Sequence, residues 1–392
     1  MNVRFRRLAG ATVGGLALVG AMAALPAAGA ALTSWSVVTS PDAGAMHNDL
    51  HAVASTAGVT FAVGESFNGS SDRTLILRDS ATGWAVVPSP DLGTKHNTLA
   101  SVAVASSTKA WAVGTAFSGR ADRTLVLAWN GKSWSVQRSP NVGTKHNELD
   151  AVAAASPTNV WAVGTYFSGS KDRTLIEHFN GSRWSVVRSP NVGANHNALD
   201  AVAIVPRTHG AQAWAVGSYF NGVNDQTLFE RLRAGRWSVV RGVNVGTEAN
   251  TLAGVVALSP SSAYAAGSFT EGHKGSTVHT NQTLVEHWNG TRWAAMTTDN
   301  VGTFNNEFLG IFALGPTSIW AIGREFDGTF DQTMVQHWNG TAWHVSTSGD
   351  ANTNHNEMEG ATAVPGGTPI AVGTFFSGSA DRTLVETCKS CH

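Results

Sequence analysis

The stretch "LDAVAAASPTNVWAVGTYFSGSKDRTLIEHFNGSRWSVVRSPNVGANHNA", residues 149–198, holds four short apolar runs separated by clusters of turn formers. The runs are "LDAVAAAS", "VWAVGTYF", "RTLIEHFN" and "RWSVVRS", named strands A to D below. Asn-Gly between C and D is the strongest short-range hairpin signal. The unit recurs along the chain. The glycine that closes "WAVG" falls at Gly64, Gly114, Gly164, Gly217, Gly267, Gly323 and Gly373, so successive spacings are 50, 50, 53, 50, 56 and 50. A period near fifty residues with four strands per unit is that of a propeller blade. The expectation is an all-β, seven-bladed β-propeller of four-stranded antiparallel blades.

Residue sizes suit a radial arrangement. Strand A is mostly Ala and Val, as a crowded axis requires, while B and D carry Trp for the wider space between blades. The ring also has a seam. "SWSVV", Ser34 to Val38, is a strand D with no blade of its own, and the seventh unit stops after strand C at "TLVETCKSCH". The N-terminal strand is therefore expected to complete the last blade and so close the ring.

The first thirty residues have a basic opening (Arg4, Arg6, Arg7), an apolar run and the small triplet Ala28-Gly29-Ala30. They read as a secretory signal peptide over 1–30, followed by one propeller domain over 31–392 and an extracytoplasmic location. Arg6-Arg7 also admits a twin-arginine reading, although the residues after it fit the general secretory route better. No later stretch is apolar enough for a membrane span. A net charge of −1 with 14% charged residues offers no basic block for nucleic acid. A monomer is expected.

The elements "WAVG", "TLIEHFN", "HWNG" and "WSVV" resemble the repeats of secreted bacterial seven-bladed propellers, a group mostly without assigned biochemistry. The resemblance covers residues 33–387. It departs from WD repeats, whose strand C ends in Trp-Asp, and from kelch repeats, which carry a Gly-Gly pair. The sialidase Asp-box is missing. Fold resemblance of this kind implies little about function.

Two polar positions recur. An Asn precedes each strand A (Asn48, Asn97, Asn147, Asn197, Asn250, Asn306, Asn356), and five of these follow a His: His47, His96, His146, His196 and His355. Each B-to-C loop ends in Asp72, Asp122, Asp172, Asp225, Asn281, Asp331 or Asp381. Both connections lie on one face, here the top face. His and Asp could ligate or act as acid and base. The favoured reading is a hydrogen-bond network holding each loop to its blade, like the polar network that these positions resemble in WD repeats, because seven copies suit something every blade needs.

Function is then expected where the symmetry breaks. Blade five has a longer B-to-C loop with His273, Lys274 and His279; Ala249 after Glu248, and Asn305, replace the His; blade six supplies Arg324 and Asp327. Isolated acids are scarce on this repeated face, so no glycosidase pair is expected. No catalytic or metal motif is present, and no cofactor is expected. The leading reading is a non-catalytic binding or scaffolding protein that engages a protein or glycan near blades five and six. The alternative is an extracytoplasmic hydrolase or lyase built on His273, His279, Glu248 and Asp327.

Cys388, Cys391 and His392 have the spacing of a haem c attachment site. They fall where strand C would turn into strand D, with no helices to bury a haem. A disulfide, within the loop or to another chain, is favoured over haem, metal or free thiols; it is expected to pin the terminus without stabilising the ring.

Overall fold

Strands A to D of each repeat pair antiparallel in sequence order, giving seven four-stranded sheets. The computed structural model describes residues 34–56, 58–206, 212–272, 279–302, 304–352 and 354–391. The expected leader over 1–30 with its cleavage site, His273, Lys274 and His392 lie outside the described residues. Blades one to six span 48–86, 96–136, 147–186, 197–240, 250–296 and 306–346. Blade seven combines 356–387 with strand D from Ser36–Val37. Among the described residues there is no helix. Strand A of each blade lies against strand A of its neighbours, which puts these strands around the axis.

The recurring glycine has a local cause. In blade one Leu50 pairs with Gly64 and Ala52 with Val63, so His51 bulges out of the ladder, and the same register shift follows the Leu, Phe or Met of strand A in every blade. Any Cβ at the glycine would overlap the backbone carbonyl opposite, that of Asp49 for Gly64 and of Glu148 for Gly164. The motif that reveals the period is thus fixed by the bulge.

The apolar core is divided into seven clusters, one at each junction between blades. At most junctions an aromatic of strand B meets an aromatic of strand C, strand D or both in the next blade. Phe61 lies 5.2 Å from Trp129 and 5.1 Å from Trp134; Trp214 lies 5.0 Å from Trp288 and 4.9 Å from Trp293. Such edge and tilted contacts add to the area term. No blade can bury its own faces, so stability belongs to the ring.

At the seam Ser36 pairs with Thr387 and Val37 with Glu386, and Trp35 enters the junction between blades six and seven, 5.8 Å from Trp320 and 6.4 Å from Phe312. Further bonds follow: Asp42 accepts from Arg382 at 3.1 Å and from the Thr383 amide at 3.0 Å, and Ser40 bonds Thr383 at 2.8 Å. Cys388 and Cys391 are joined as a disulfide, and both are fully buried in the cluster of Trp35, Trp320 and Met358. The pair expected to pin the terminus thus lies inside a junction core. Cys388 occupies the strand C position held by Phe179 or Trp288 elsewhere, and that position faces the preceding blade.

Trp35 is 3% exposed. Trp35→Ala should therefore cost about 3 kcal/mol or more, read as a lowered melting temperature. A cost under about 1 kcal/mol would mean that the N-terminal strand does not close the ring.

Candidate functional site

The recurring Asn is wholly buried and organises the connector into strand A. Asn147 Oδ1 accepts the Gly143 amide at 2.6 Å, while its Nδ2 donates to the Gly143 carbonyl at 2.9 Å and to the Asp122 carbonyl at 3.3 Å. Each His bonds the Asp of the preceding blade, not of its own. His146 meets Asp122 at 2.8 Å, His196 meets Asp172 at 3.1 Å and His355 meets Asp331 at 3.3 Å; His96 pairs with Asp72, and His47 with Asp381 across the seam. The network expected to hold each loop to its own blade thus staples neighbouring blades. The reason is topological: the D-to-A connector carrying His is the segment that crosses from one blade to the next.

Blade five lacks this staple on both sides, since Asp225 faces a connector with Ala249, and Asn281 one with Asn305. Here Asn281 accepts from Thr270 Oγ1 at 2.9 Å, donates its side-chain amide to Glu307 at 2.5 Å, and donates its backbone amide to Asn305 at 3.2 Å. Arg324 continues the chain, donating to Glu307 at 3.0 Å and to Glu357 of blade seven at 2.8 Å. A cleft of about 250 Å³ opens between blades five and six, lined by Thr251, Ser268, Thr270, Asn281, Glu307 and Phe308 among others.

Of the residues singled out in the sequence, Asn305 and Arg324 support this cleft through Asn281 and Glu307 without lining it. Glu248 and His279 meet at 2.8 Å beside the longer hairpin of blade five. Asp327 caps its own turn, accepting from the Thr329 and Phe330 amides at 2.6 and 2.8 Å. The hydroxyls of Thr251, Ser268 and Thr270 stand out neither by charge nor by spacing. The one available signal was Arg324, which replaces the Thr or Ser that usually follows "WAVG".

Carboxylates are not scarce near the axis. Strand A supplies Asp49, Glu148, Glu307, Glu357 and Glu359, and Glu65 follows the marker glycine of blade one; several of these link adjacent blades. Examples are His51 with Glu359 at 2.9 Å and Thr374 with Asp49 at 3.2 Å. Sequence reading also missed a buried acid in strand C. Glu230 accepts from Ser189 at 2.9 Å, Glu286 from the Val243 amide at 2.8 Å and Glu386 from the Gly349 amide at 2.9 Å, each across a junction. Glu177 has no hydrogen-bond partner for either oxygen among the described residues. Blades one and two have Leu77 and Leu127 in its place.

These burials perturb ionisation. Desolvation pushes Glu177, Glu230 and Glu286 up to about 8, and Glu386 and Asp49 to about 7. Burial lowers His51, but Glu359 outweighs it and the group reaches about 9; hydrogen bonds to Asp122 and Glu148 raise His146 to about 10. An acid raised in the fold keeps a proton that the unfolded chain has already released, so its contribution is complete near pH 4.5 and falls until about pH 8. A raised His contributes fully below its ordinary value of 6.5 and loses that contribution as pH rises through the folded value. His178, His287 and His337, lowered by burial, oppose this trend only on acidification below 6.5.

No family model matches the chain, and no curated protein matches it. Among solved structures it is similar to YCF48 bound to D1 peptide, with TM-score 0.55, 10% identity, and coverage of 91% of this chain and 99% of that one. It is also similar to YCF48 from Cyanidioschyzon merolae, with TM-score 0.51, 13% identity, and coverage of 90% and 98%. The six-bladed fucose lectin of Aleuria aurantia aligns over 73% of this chain and 90% of its own at 13% identity, with TM-score 0.48. At these identities the two YCF48 likenesses concern the propeller fold alone.

Both titrating sets carry one sign above neutrality, so the melting temperature should fall between about pH 7 and 9. Glu177→Leu, the choice of blades one and two, should raise stability by about 1–3 kcal/mol at pH 8 and flatten that slope. A destabilised variant would show that the carboxyl has a partner that the geometry does not reveal.

Proposed function

We propose that this chain is an exported, non-catalytic binding or scaffolding propeller that engages a protein or glycan through its top face at the junction of blades five and six. The observation that carries this reading is the cleft itself. It opens beside the one blade that lacks the His–Asp staple on both sides, and it presents hydroxyls, an amide and an aromatic ring. Glu307 is already satisfied by Asn281 and Arg324, so the floor is polar without a free charge. Such a surface suits hydroxyl and amide groups more than ions. The neighbour solved with a bound peptide lends the protein arm of this reading a precedent on the same fold.

Export rests on the leader over 1–30 and on the resemblance to secreted bacterial propeller repeats; the mature domain is placed at 31–392, as a monomer. We assign no cofactor. Burial of Cys388 and Cys391, bonded to each other in the junction core, supports a structural pair over a haem attachment. The hydrolase or lyase alternative retains Glu248 and His279, which meet at 2.8 Å, whereas Asp327 is engaged by its own turn.

Ala253 lines the cleft. In a glycan-array and peptide-array screen of the mature protein, Ala253→Phe should reduce binding of any hit at least about tenfold, the effect of losing roughly 1.4 kcal/mol, while the melting temperature holds. Unaltered binding by a fully folded variant would remove this cleft as the site.

A further inference from the structure

A second pair of equivalent positions lies on the top face, away from the cleft. In blade one Asp91 does two things: Oδ1 accepts the Thr74 amide at 2.9 Å, and Oδ2 accepts from Arg73 at 3.1 Å. Blade seven repeats this with Asp42, which accepts from the Thr383 amide at 3.0 Å and from Arg382 at 3.1 Å. In blades two and three the acid becomes Asn141 or Asn191. Their side-chain oxygens still accept the Thr124 and Thr174 amides, both at 3.0 Å, so the backbone role survives. The countercharge does not, yet Arg123 and Arg173 remain. Blades four to six have Gln226, Gln282 and Gln332 instead. Only blades two and three keep the cation and discard its anion.

Other cations gather around them. The Lys145 carbonyl accepts the Asp122 amide at 3.0 Å, next to Arg123, and the Lys95 amide donates to Phe117 at 3.4 Å, at the mouth of the loop that carries Arg120. Lys171 sits two residues before Arg173. Among the described residues none of Lys95, Arg120, Arg123, Lys145, Lys171 and Arg173 forms an ion pair, while Arg73, Arg324 and Arg382 all do. The carboxylates that face the patch are already engaged: Asp122 and Glu148 by His146, and Asp172 by His196. The connectors that leave blades one, two and three also expose aliphatics, Leu92 at 50%, Val142 at 45% and Val192 at 47%.

We propose that the top face of blades two and three is a docking surface for an acidic peptide segment of another protein, one that carries aliphatic side chains among its carboxylates. Uncompensated cations attract and steer an anionic partner. Arg presents a planar fork that matches a carboxylate. The exposed Leu92, Val142 and Val192 of the same connectors favour a peptide over a polyanionic sugar, because they gain only from a partner with apolar groups to bury. This surface stands independently of the cleft at blades five and six.

The probe is a short fluorescein-labelled peptide of glutamate and leucine, followed by anisotropy, with a glutamine-for-glutamate peptide and polygalacturonate as comparisons. Asn141→Asp with Asn191→Asp writes the native pairing of blade one into blades two and three, so the fold should hold and the arginines should be neutralised in place. The double variant is expected to bind the acidic peptide about five- to tenfold more weakly, with less salt dependence. Asp91→Asn, which frees Arg73, is expected to bind more tightly. The proposal fails if the wild type does not distinguish the glutamate from the glutamine peptide, or if a folded double variant binds as the wild type does. Preference for polygalacturonate over the peptide would overturn the choice of partner.

Discussion

The pairing of Ser36 and Val37 with Thr387 and Glu386 turns seven sheets into a ring, and every other stabilising contact depends on that closure. Each blade is a thin sheet whose two faces are covered only by its neighbours. Opening one junction would expose two apolar faces together. The molecule concentrates fastenings at this point: Trp35 enters the aromatic cluster, the disulfide fills the space where a strand C aromatic would stand, and Asp42, Ser40 and His47 bond residues 381–383. Ends far apart in sequence are thereby held as tightly as blades joined by a connector.

Within the ring the same chemistry is repeated with purpose. The His–Asp staple, the Asn that folds the connector and the buried strand C acid all act across junctions. They fix the angle between blades, whereas the apolar clusters supply most of the burial. Blade five departs from this pattern by losing the staple on both flanks and gaining the Asn281–Glu307–Arg324 chain and an open cleft. Blades two and three depart differently, by keeping cations and neutralising their anions. Both departures leave the strand pairing of the sheets intact, which is why a repeat can diversify its surface without altering its fold.

The period, the four strands per unit and the seam were legible because each has a local cause. The bulge demands a glycine, the C-to-D hairpin demands Asn-Gly, and an orphan "WSVV" needs a partner. Partner choice was less legible. Nothing local in "HN" or "DRT" tells whether His146 reaches Asp122 of the blade before or an acid of its own. Glu177 and Glu230 were invisible for another reason: in an alternating strand a charged residue reads as solvent-facing, but strand C has both faces covered. The cleft was legible only as a neighbourhood. Thr251, Ser268 and Thr270 are ordinary strand residues that become a surface only where blades five and six meet.

The central claim is that the staple and the proposed binding site are alternative uses of the same junction. Writing the staple into the junction of blades five and six, with Asn281→Asp and Asn305→His together, tests it in one protein. The account predicts a higher melting temperature and loss of the ligand found for the wild type, because Glu307 loses its Asn281 contact and the cleft closes. A variant with unchanged melting temperature and unchanged ligand binding would contradict it.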